Sequence, residues 1–159
     1  MSANSQSRAI PLEHDHAASA QQRVAPHLAA IALFVLLAVL ISWPLPLYFT
    51  HGLVGSDDAV DSYQHTWHQW WVAEALTHGK SPFHTDLLYY PEGIDLFWQT
   101  LGFTQGLVAV PLTLALGPVA GVNFTVLSSF VIGGYAVFLL ARRLTGSIPG
   151  ALVAGTIYV

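Results

Sequence analysis

The chain has 159 residues, of which 53% are hydrophobic and 9% are charged, whereas a soluble domain carries about 25% charged residues. This difference indicates that lipid is the solvent for much of the chain. The net charge is -4 and the few basic residues form no patch, which excludes a nucleic-acid-binding protein, and the absence of cysteine excludes disulfides and thiolate metal sites.

The N-terminal part divides into a polar tail and an apolar segment. Residues 1–27 are rich in Ser, Gln, Ala and His, and they are predicted to form a flexible cytoplasmic tail because they bury too little apolar surface to offset the ordering entropy. Residues 28–49 carry no charge and reach the ~20 residues that a spanning helix needs, so they are predicted as transmembrane helix 1. A cleaved signal peptide is the alternative, but Trp-Pro-Leu-Pro at 43–46 replaces a small-residue cleavage site and favours an uncleaved anchor.

Residues 50–100 form the predicted extracytoplasmic loop, which holds seven acidic residues and a single base, Lys80. A helix is predicted from Asp58 or Asp61 to about His78, with Gly79 as its stop. Steps of 100° per residue place Asp58, Asp61, His65 and His68 on one face of this helix and most of the aromatic residues on the other, with Glu74 and Val72 as exceptions. The helix is therefore expected to lie on the membrane surface with its aromatic side down.

The remaining residues are apolar, and their topology depends on the segment 101–117. If this segment spanned the membrane, Arg142 and Arg143 would lie on the side of the acidic loop, against the positive-inside rule. It is also short and contains Pro111, so it is predicted to be an interfacial or re-entrant helix. Residues 119–141 then form transmembrane helix 2, and residues 148–159 are the start of transmembrane helix 3.

The last apolar segment, residues 148–159, is too short to cross a membrane as a helix. The chain is therefore expected to be the N-terminal piece of a larger membrane protein, whose C-terminal helices would be its partners. A small protein with a last segment that docks on another chain is the alternative.

The acidic cluster at the start of the loop has a chemical and a structural interpretation. Asp57, Asp58 and Asp61 form a cluster of carboxylates, and one member of such a cluster can act as a general base near neutral pH. The cluster can also bind a hard divalent cation, and with His65 and His68 added it would suit zinc or manganese. The tentative metal ligands are Asp58, Asp61, His65 and His68. Helix capping and a solvated loop face are the structural alternative.

The tryptophans of the same helix also have two interpretations. Trp67, Trp70 and Trp71 can anchor the helix in the headgroup layer, which is the common role of interfacial tryptophan. They can instead form a stacking platform for a sugar substrate.

Several short motifs follow one another in a recognisable order. They are Trp-Pro-Leu-Pro at 43–46, Gly55-Ser56-Asp57-Asp58-Ala59-Val60-Asp61, Trp67-x-x-Trp70-Trp71, Gly79-Lys80-Ser81-Pro82-Phe83, Tyr89-Tyr90-Pro91-Glu92-Gly93, Asn123, and Leu139-Leu140-Ala141-Arg142-Arg143-Leu144-Thr145-Gly146. This order resembles the N-terminal part of large bacterial polytopic membrane proteins of the GT-C glycosyltransferase type, including YfhO-like proteins. The resemblance covers about residues 30–159.

The resemblance implies an all-α membrane protein with an N-terminal transmembrane helix, a large extracytoplasmic loop with amphipathic surface helices, and further transmembrane helices. In the GT-C fold the first extracytoplasmic loop carries the essential acidic residues, a place that Asp57 and Asp58 occupy here, with Asp61 in support. The implied activity is sugar transfer from a polyprenyl-phosphate donor to an acceptor on the extracytoplasmic side, in some members with a divalent metal. The implied location is the inner (plasma) membrane, as a multi-pass protein in contact with lipid.

Two other functions remain as alternatives. A transporter or flippase portion is one, although residues 28–43 and 119–140 contain no ionisable groups of the kind that usually mark a transport pathway. A non-enzymatic membrane module, with the loop as a docking surface, is the other.

Overall fold

The computed structural model describes residues 14–55 and 60–159, and these residues are mostly helical. The α-helices are α1 His14–Ile41, α2 Val60–Thr77, α3 Phe103–Leu116, α4 Pro118–Thr145 and α5 Ile148–Tyr158. Strands β1 His84–Thr85 and β2 Ile94–Asp95 pair antiparallel, and 3₁₀ turns cover Leu45–Tyr48 and Leu96–Trp98. The predicted helical class is confirmed at this level.

Helix α1 begins earlier than the sequence interpretation expects. It starts at His14, so its first half lies in the segment predicted as a flexible tail through residue 27. Alanine and glutamine are good helix formers, and extending an existing helix requires no new nucleus. The helix ends at Ile41, shortly before Pro44 and Pro46, which lack the backbone N–H that a continued helix needs.

Two of the helices are long and apolar enough to span a membrane. They are α1, in which the window Val24–Ile41 has a mean hydropathy of 2.6, and α4 (Pro118–Thr145), in which an 18-residue window has a mean hydropathy of 2.0. Only 17% and 11% of the residues in these windows are buried within the protein. Helices that are apolar on nearly all sides and yet exposed are typical of membrane spans rather than of amphipathic surface helices.

Helices α1 and α4 run antiparallel, as the hydrogen bonds at their two ends show. At one end, Arg142 donates to Nε2 of His27 at 2.7 Å, and the other ring nitrogen of His27 lies 2.9 Å from the hydroxyl of Tyr135. At the other end, the buried Asn123 donates to the carbonyl oxygens of Phe49 at 2.9 Å and Gly52 at 2.7 Å. His27, just before the most apolar part of α1, therefore lies beside the C-terminal end of α4, where Arg142 is found.

Helix α5 packs into the groove between α1 and α4. The shared core consists of Ala30, Phe34, Phe138 and Ala151. Gly155 lies against the ring of Phe34 and the backbone of Gly134, where a side chain would have no room. Such small residues allow apolar helices to approach closely, as they do in membrane helix pairs.

Helix α3 forms a hairpin with the first part of α4 through Gly117, whose φ is 92°. Its 14 residues measure about 21 Å, less than the ~30 Å hydrocarbon layer. Thr113 near its end lies against Gly121 of α4. The length suits the predicted interfacial position, although the position itself stays a prediction.

Helix α2 lies across this hairpin and is held by Gln69. The Gln69 amide donates to the carbonyl of Gly106 at 3.1 Å and to the hydroxyl of Thr113 at 3.0 Å. At the end of the helix, Gly79 has a φ of 65°, as its predicted role as the stop requires.

The aromatic side of α2 does not have the environment expected from the sequence. Trp71 is 1% exposed, and its indole N–H donates to the carbonyl of Pro82 at 3.1 Å. The segment after the helix supplies Leu96 to the same buried cluster. The side expected to face lipid is therefore covered in large part by the protein's own loop. This loop buries the Trp71 ring and accepts the hydrogen bond of its indole N–H.

Candidate functional site

The polar face of α2 borders a cleft between α2, α3 and α4. The cleft has a volume of ≈ 180 Å³. Its polar lining consists of His65, His68, Gln69, Gln105, Thr125 and Ser129. None of these side chains has a fixed charge, so the cleft offers uncharged donors and acceptors.

His68 is the most constrained side chain of this cleft. It is 5% exposed, and its Nδ1 is buried without a hydrogen-bond partner among the described residues. Burial lowers the pKa of His68 below its ordinary value of 6.5, and the neighbouring His65 lowers it further by charge repulsion. The imidazole is therefore neutral at pH 7. A neutral imidazole has one N–H donor and one acceptor nitrogen, so His68 can offer an uncharged donor or acceptor to a group in the cleft.

His65 and Asp61 extend the polar face toward the start of α2. The His65 ring centre lies 6.5 Å from that of His68, and His65 is exposed. Asp61 is exposed in the first turn of the helix, where its carboxylate is favoured by the helix dipole. The structure thus brings His65 and His68 to one cleft and leaves Asp61 at the open end of the same face.

The predicted catalytic pair, Asp57 and Asp58, lies outside the described residues, so its role stays a prediction. The predicted metal site has the same status, since Asp58 is one of its ligands. Within residues 14–55 and 60–159, no three His, Asp or Glu side chains come together as a metal site. Asp61, His65 and His68 therefore do not form a metal site by themselves.

The three tryptophans predicted as a sugar platform differ in their surroundings. Trp71 is a core residue, and the ring of Trp67 stacks on it with a centroid distance of 6.0 Å and an interplanar angle of 5°. Trp67 and Trp70 are half-buried. A substrate-stacking role thus remains open to Trp67 and Trp70, whereas the Trp71 ring is enclosed by the protein.

Sequence reasoning missed the amide and hydroxyl side chains of the cleft. Gln69 could have been found, because its helical angle is 80° from Asp61 and so lies beside His65 on the polar face. Gln105 and Ser129 carried no such signal, because only the packing of α3 and α4 against α2 brings them to the cleft.

The fold and the cleft together define a mostly helical protein with two helices able to span a membrane and a polar cleft at one end of them. Comparison with protein-family models, with curated proteins and with solved structures finds no match for this chain.

Proposed function

We propose that this chain carries the extracytoplasmic site of a membrane glycosyltransferase of the GT-C type, in a multi-pass protein of the plasma membrane. The reaction moves a sugar from a polyprenyl-phosphate donor to an acceptor hydroxyl. The observation that carries the proposal is the position of the cleft. It lies at the end of α1 and α4 opposite to Arg142, and its first lining residue, His65, follows Asp58 by seven positions in the sequence.

The lengths of the helices support this position relative to the membrane. His27, near one end of the apolar part of α1, contacts Tyr135 and Arg142 of α4. Ile41, at its other end, lines a separate pocket together with Val126 and Phe130 of α4. The segment of α4 beside the apolar part of α1 is therefore about 18 residues long, or about 27 Å, close to the ~30 Å hydrocarbon layer. The first turns of α4 and the attached α3 extend beyond this segment of about 27 Å. In the proposed orientation, the cleft therefore opens near the extracytoplasmic surface of the membrane.

In the proposed reaction, the Asp58 carboxylate accepts the proton of the acceptor hydroxyl. The hydroxyl oxygen attacks the anomeric carbon of the donor, and the bond from that carbon to the lipid phosphate breaks. The phosphate leaves with the bonding electrons, and the configuration at the anomeric carbon inverts. Asp57 and Asp61 support the charge and orientation of Asp58, and His68 contributes an uncharged hydrogen-bond donor or acceptor.

The proposal is tested by replacing Asp58 with Asn in the native gene and by measuring sugar transfer in isolated membranes with radiolabelled polyprenyl-phosphate sugars. Asn keeps the size of the side chain and its capping oxygen but removes the basic carboxylate, so transfer should fall by about 10²–10⁴-fold. Asp86→Asn is the matched control, because Asp86 is an exposed acid of the same loop that does not line the cleft. Full transfer by the double variant Asp57→Asn/Asp58→Asn would contradict the proposal.

A further inference from the structure

A second groove lies on the other side of His68, between α2 and the loop that follows it. Its volume is ≈ 470 Å³, larger than that of the polar cleft. Besides His68, the residues that define its character are Trp67, Tyr89, Gln64, Gln99, Leu88 and Leu96. Two aromatic rings, two amides and an apolar floor thus share one groove.

The aromatic side chains of the groove are held in different ways. Trp67 is fixed by its stacking on the buried Trp71 ring and so is presented by a rigid part of the core. Tyr89 is 76% exposed and belongs to the loop, and its carbonyl accepts a hydrogen bond from the Gly93 N–H at 3.1 Å. The groove therefore combines one ring packed against the core with one exposed ring on the loop.

The backbone of Tyr89 points to a role for its side chain. Its φ is 56°, a left-handed conformation that costs a bulky residue free energy and that Gly or Asn adopts more readily. Gly or Asn at this position would therefore form the turn at a lower free-energy cost than Tyr. Tyr89 is one of the residues that line the groove, and unusual backbone conformations of this kind concentrate at binding sites.

The chemistry of the lining selects an uncharged ligand. No Asp, Glu, Lys or Arg side chain is among the groove residues of the described chain, so neither a phosphate nor a cation finds a counter-charge there. A purely apolar chain would leave the amides of Gln64 and Gln99 without partners, which costs free energy. A ligand with both an apolar face and a rim of hydroxyls satisfies the rings and the amides together.

We propose that this groove binds a saccharide ring, with its C–H face against Trp67 and Tyr89 and its hydroxyls on Gln64, Gln99 and His68. The assignment deepens the proposed function and rests on it for the statement that the saccharide is a substrate. Because His68 borders both the groove and the polar cleft, a ring bound here lies next to the proposed site of transfer. Binding itself can be measured without transfer.

The test uses the 159-residue chain in phosphocholine detergent micelles, which contain no sugar. Saturation-transfer difference NMR is recorded with methyl α-D-glucopyranoside, methyl α-D-mannopyranoside and methyl β-D-galactopyranoside, and with glycerol as a hydroxyl-rich compound that has no ring. We expect saturation transfer to at least one glycoside, strongest at its ring C–H protons, and none to glycerol.

The matched variants are Tyr89→Gly and Tyr90→Ala. Tyr89→Gly removes the ring while it relieves the backbone, so the helical content is kept and the glycoside Kd rises roughly ten-fold. Tyr90 is 81% exposed and does not line the groove, so Tyr90→Ala leaves the Kd unchanged. Gln99→Ala, on the opposite rim, should also raise the Kd.

The saccharide site is overturned if none of the three glycosides receives saturation, if glycerol receives as much, or if Tyr89→Gly and Tyr90→Ala bind equally well. The proposed glycosyl transfer fails separately. Glycoside binding together with unchanged transfer in Asp58→Asn would leave the groove standing without the enzyme. Loss of transfer in Asp58→Asn without glycoside binding would leave the enzyme standing without this groove.

Discussion

His68 should make the stability of the fold depend on pH in a defined direction. Burial, and then repulsion from His65, holds its folded-state pKa below the ordinary value of 6.5. As the pH falls below about 6.5, the unfolded chain takes up a proton that the folded chain resists, so folding stability is lost in that range. Above that range both states are neutral at this site, and its contribution does not change with pH.

This pH dependence can be measured as the thermal unfolding midpoint in detergent, at about pH 7.5 and about pH 5. The midpoint of the unmodified chain should fall at the lower pH. It should fall less in His68→Gln, because glutamine provides an N–H donor at this position but does not titrate. His78→Gln is the control, because His78 is exposed and pairs with Glu74 at 3.2 Å. An equal fall in the unmodified chain and in His68→Gln would show that His68 is not the responsible group.

At the level of single residues, sequence periodicity predicted the residues that α2 contributes to the site but not those that come from other segments. The 100° step places His65 and His68 on one helix face, and both line the same cleft. Tyr89 and Gln105 could not be predicted, because they reach the two clefts only when their segments fold back onto α2. The environment of Trp71 was predicted wrongly, since helical angles identify an apolar side but not what covers it.

At the level of elements, local signals predicted helix ends better than helix beginnings. Gly79 was predicted as the stop of α2, and it has the left-handed conformation that terminates a helix. The polar composition of residues 1–27 predicts a flexible tail, whereas α1 starts at His14, because alanine and glutamine favour helix even in a polar segment. Helix α3 was identified by its length and Pro111, both of which are visible in the sequence.

The contact between α4 and α5 depends on glycine and can be tested there. A Cβ on Gly155 would lie 2.7 Å from the carbonyl oxygen of Gly134 and closer still to the Phe34 ring, which belongs to the buried core. Gly155→Val should therefore destabilise the fold by about 1–3 kcal/mol, as overpacking typically does. The measurement is the thermal unfolding midpoint of the purified chain in detergent.

Gly150→Ala is the matched control for this contact, because the nearest atom to its added Cβ is the Ser147 hydroxyl at 3.3 Å, and both residues are exposed. A lowered midpoint in Gly155→Val together with an unchanged one in Gly150→Ala supports the close approach of the helices. If Gly155→Val has the midpoint of the unmodified chain, α5 does not pack against Phe34 in solution.

At the level of the whole molecule, the antiparallel pairing of α1 and α4 links the fold to the membrane. The bonds of His27 with Tyr135 and Arg142 join the N-terminal side of the apolar part of α1 to the C-terminal part of α4, and those of Asn123 with the 49–52 turn join the other pair of ends. The acidic loop follows the second pair of ends, and Arg142 and Arg143 lie at the first. If both helices span, the loop and the two arginines are on opposite sides, as the positive-inside rule favours.

Single cysteines test this topology directly, because the chain contains no cysteine of its own. Ser81→Cys places a thiol at an exposed position after α2, and Ser147→Cys places one at an exposed position between α4 and α5. In intact cells, a membrane-impermeant maleimide should label position 81 and not position 147, and it should label both after the membrane is opened. Substitution at Ser147 also removes a capping oxygen that accepts from the Gly150 N–H at 3.2 Å, so the folding of this variant is checked by its unfolding midpoint. Labelling of both positions in intact cells would mean that residues 101–117 cross the bilayer, and it would move Arg142 to the side of the proposed sugar site.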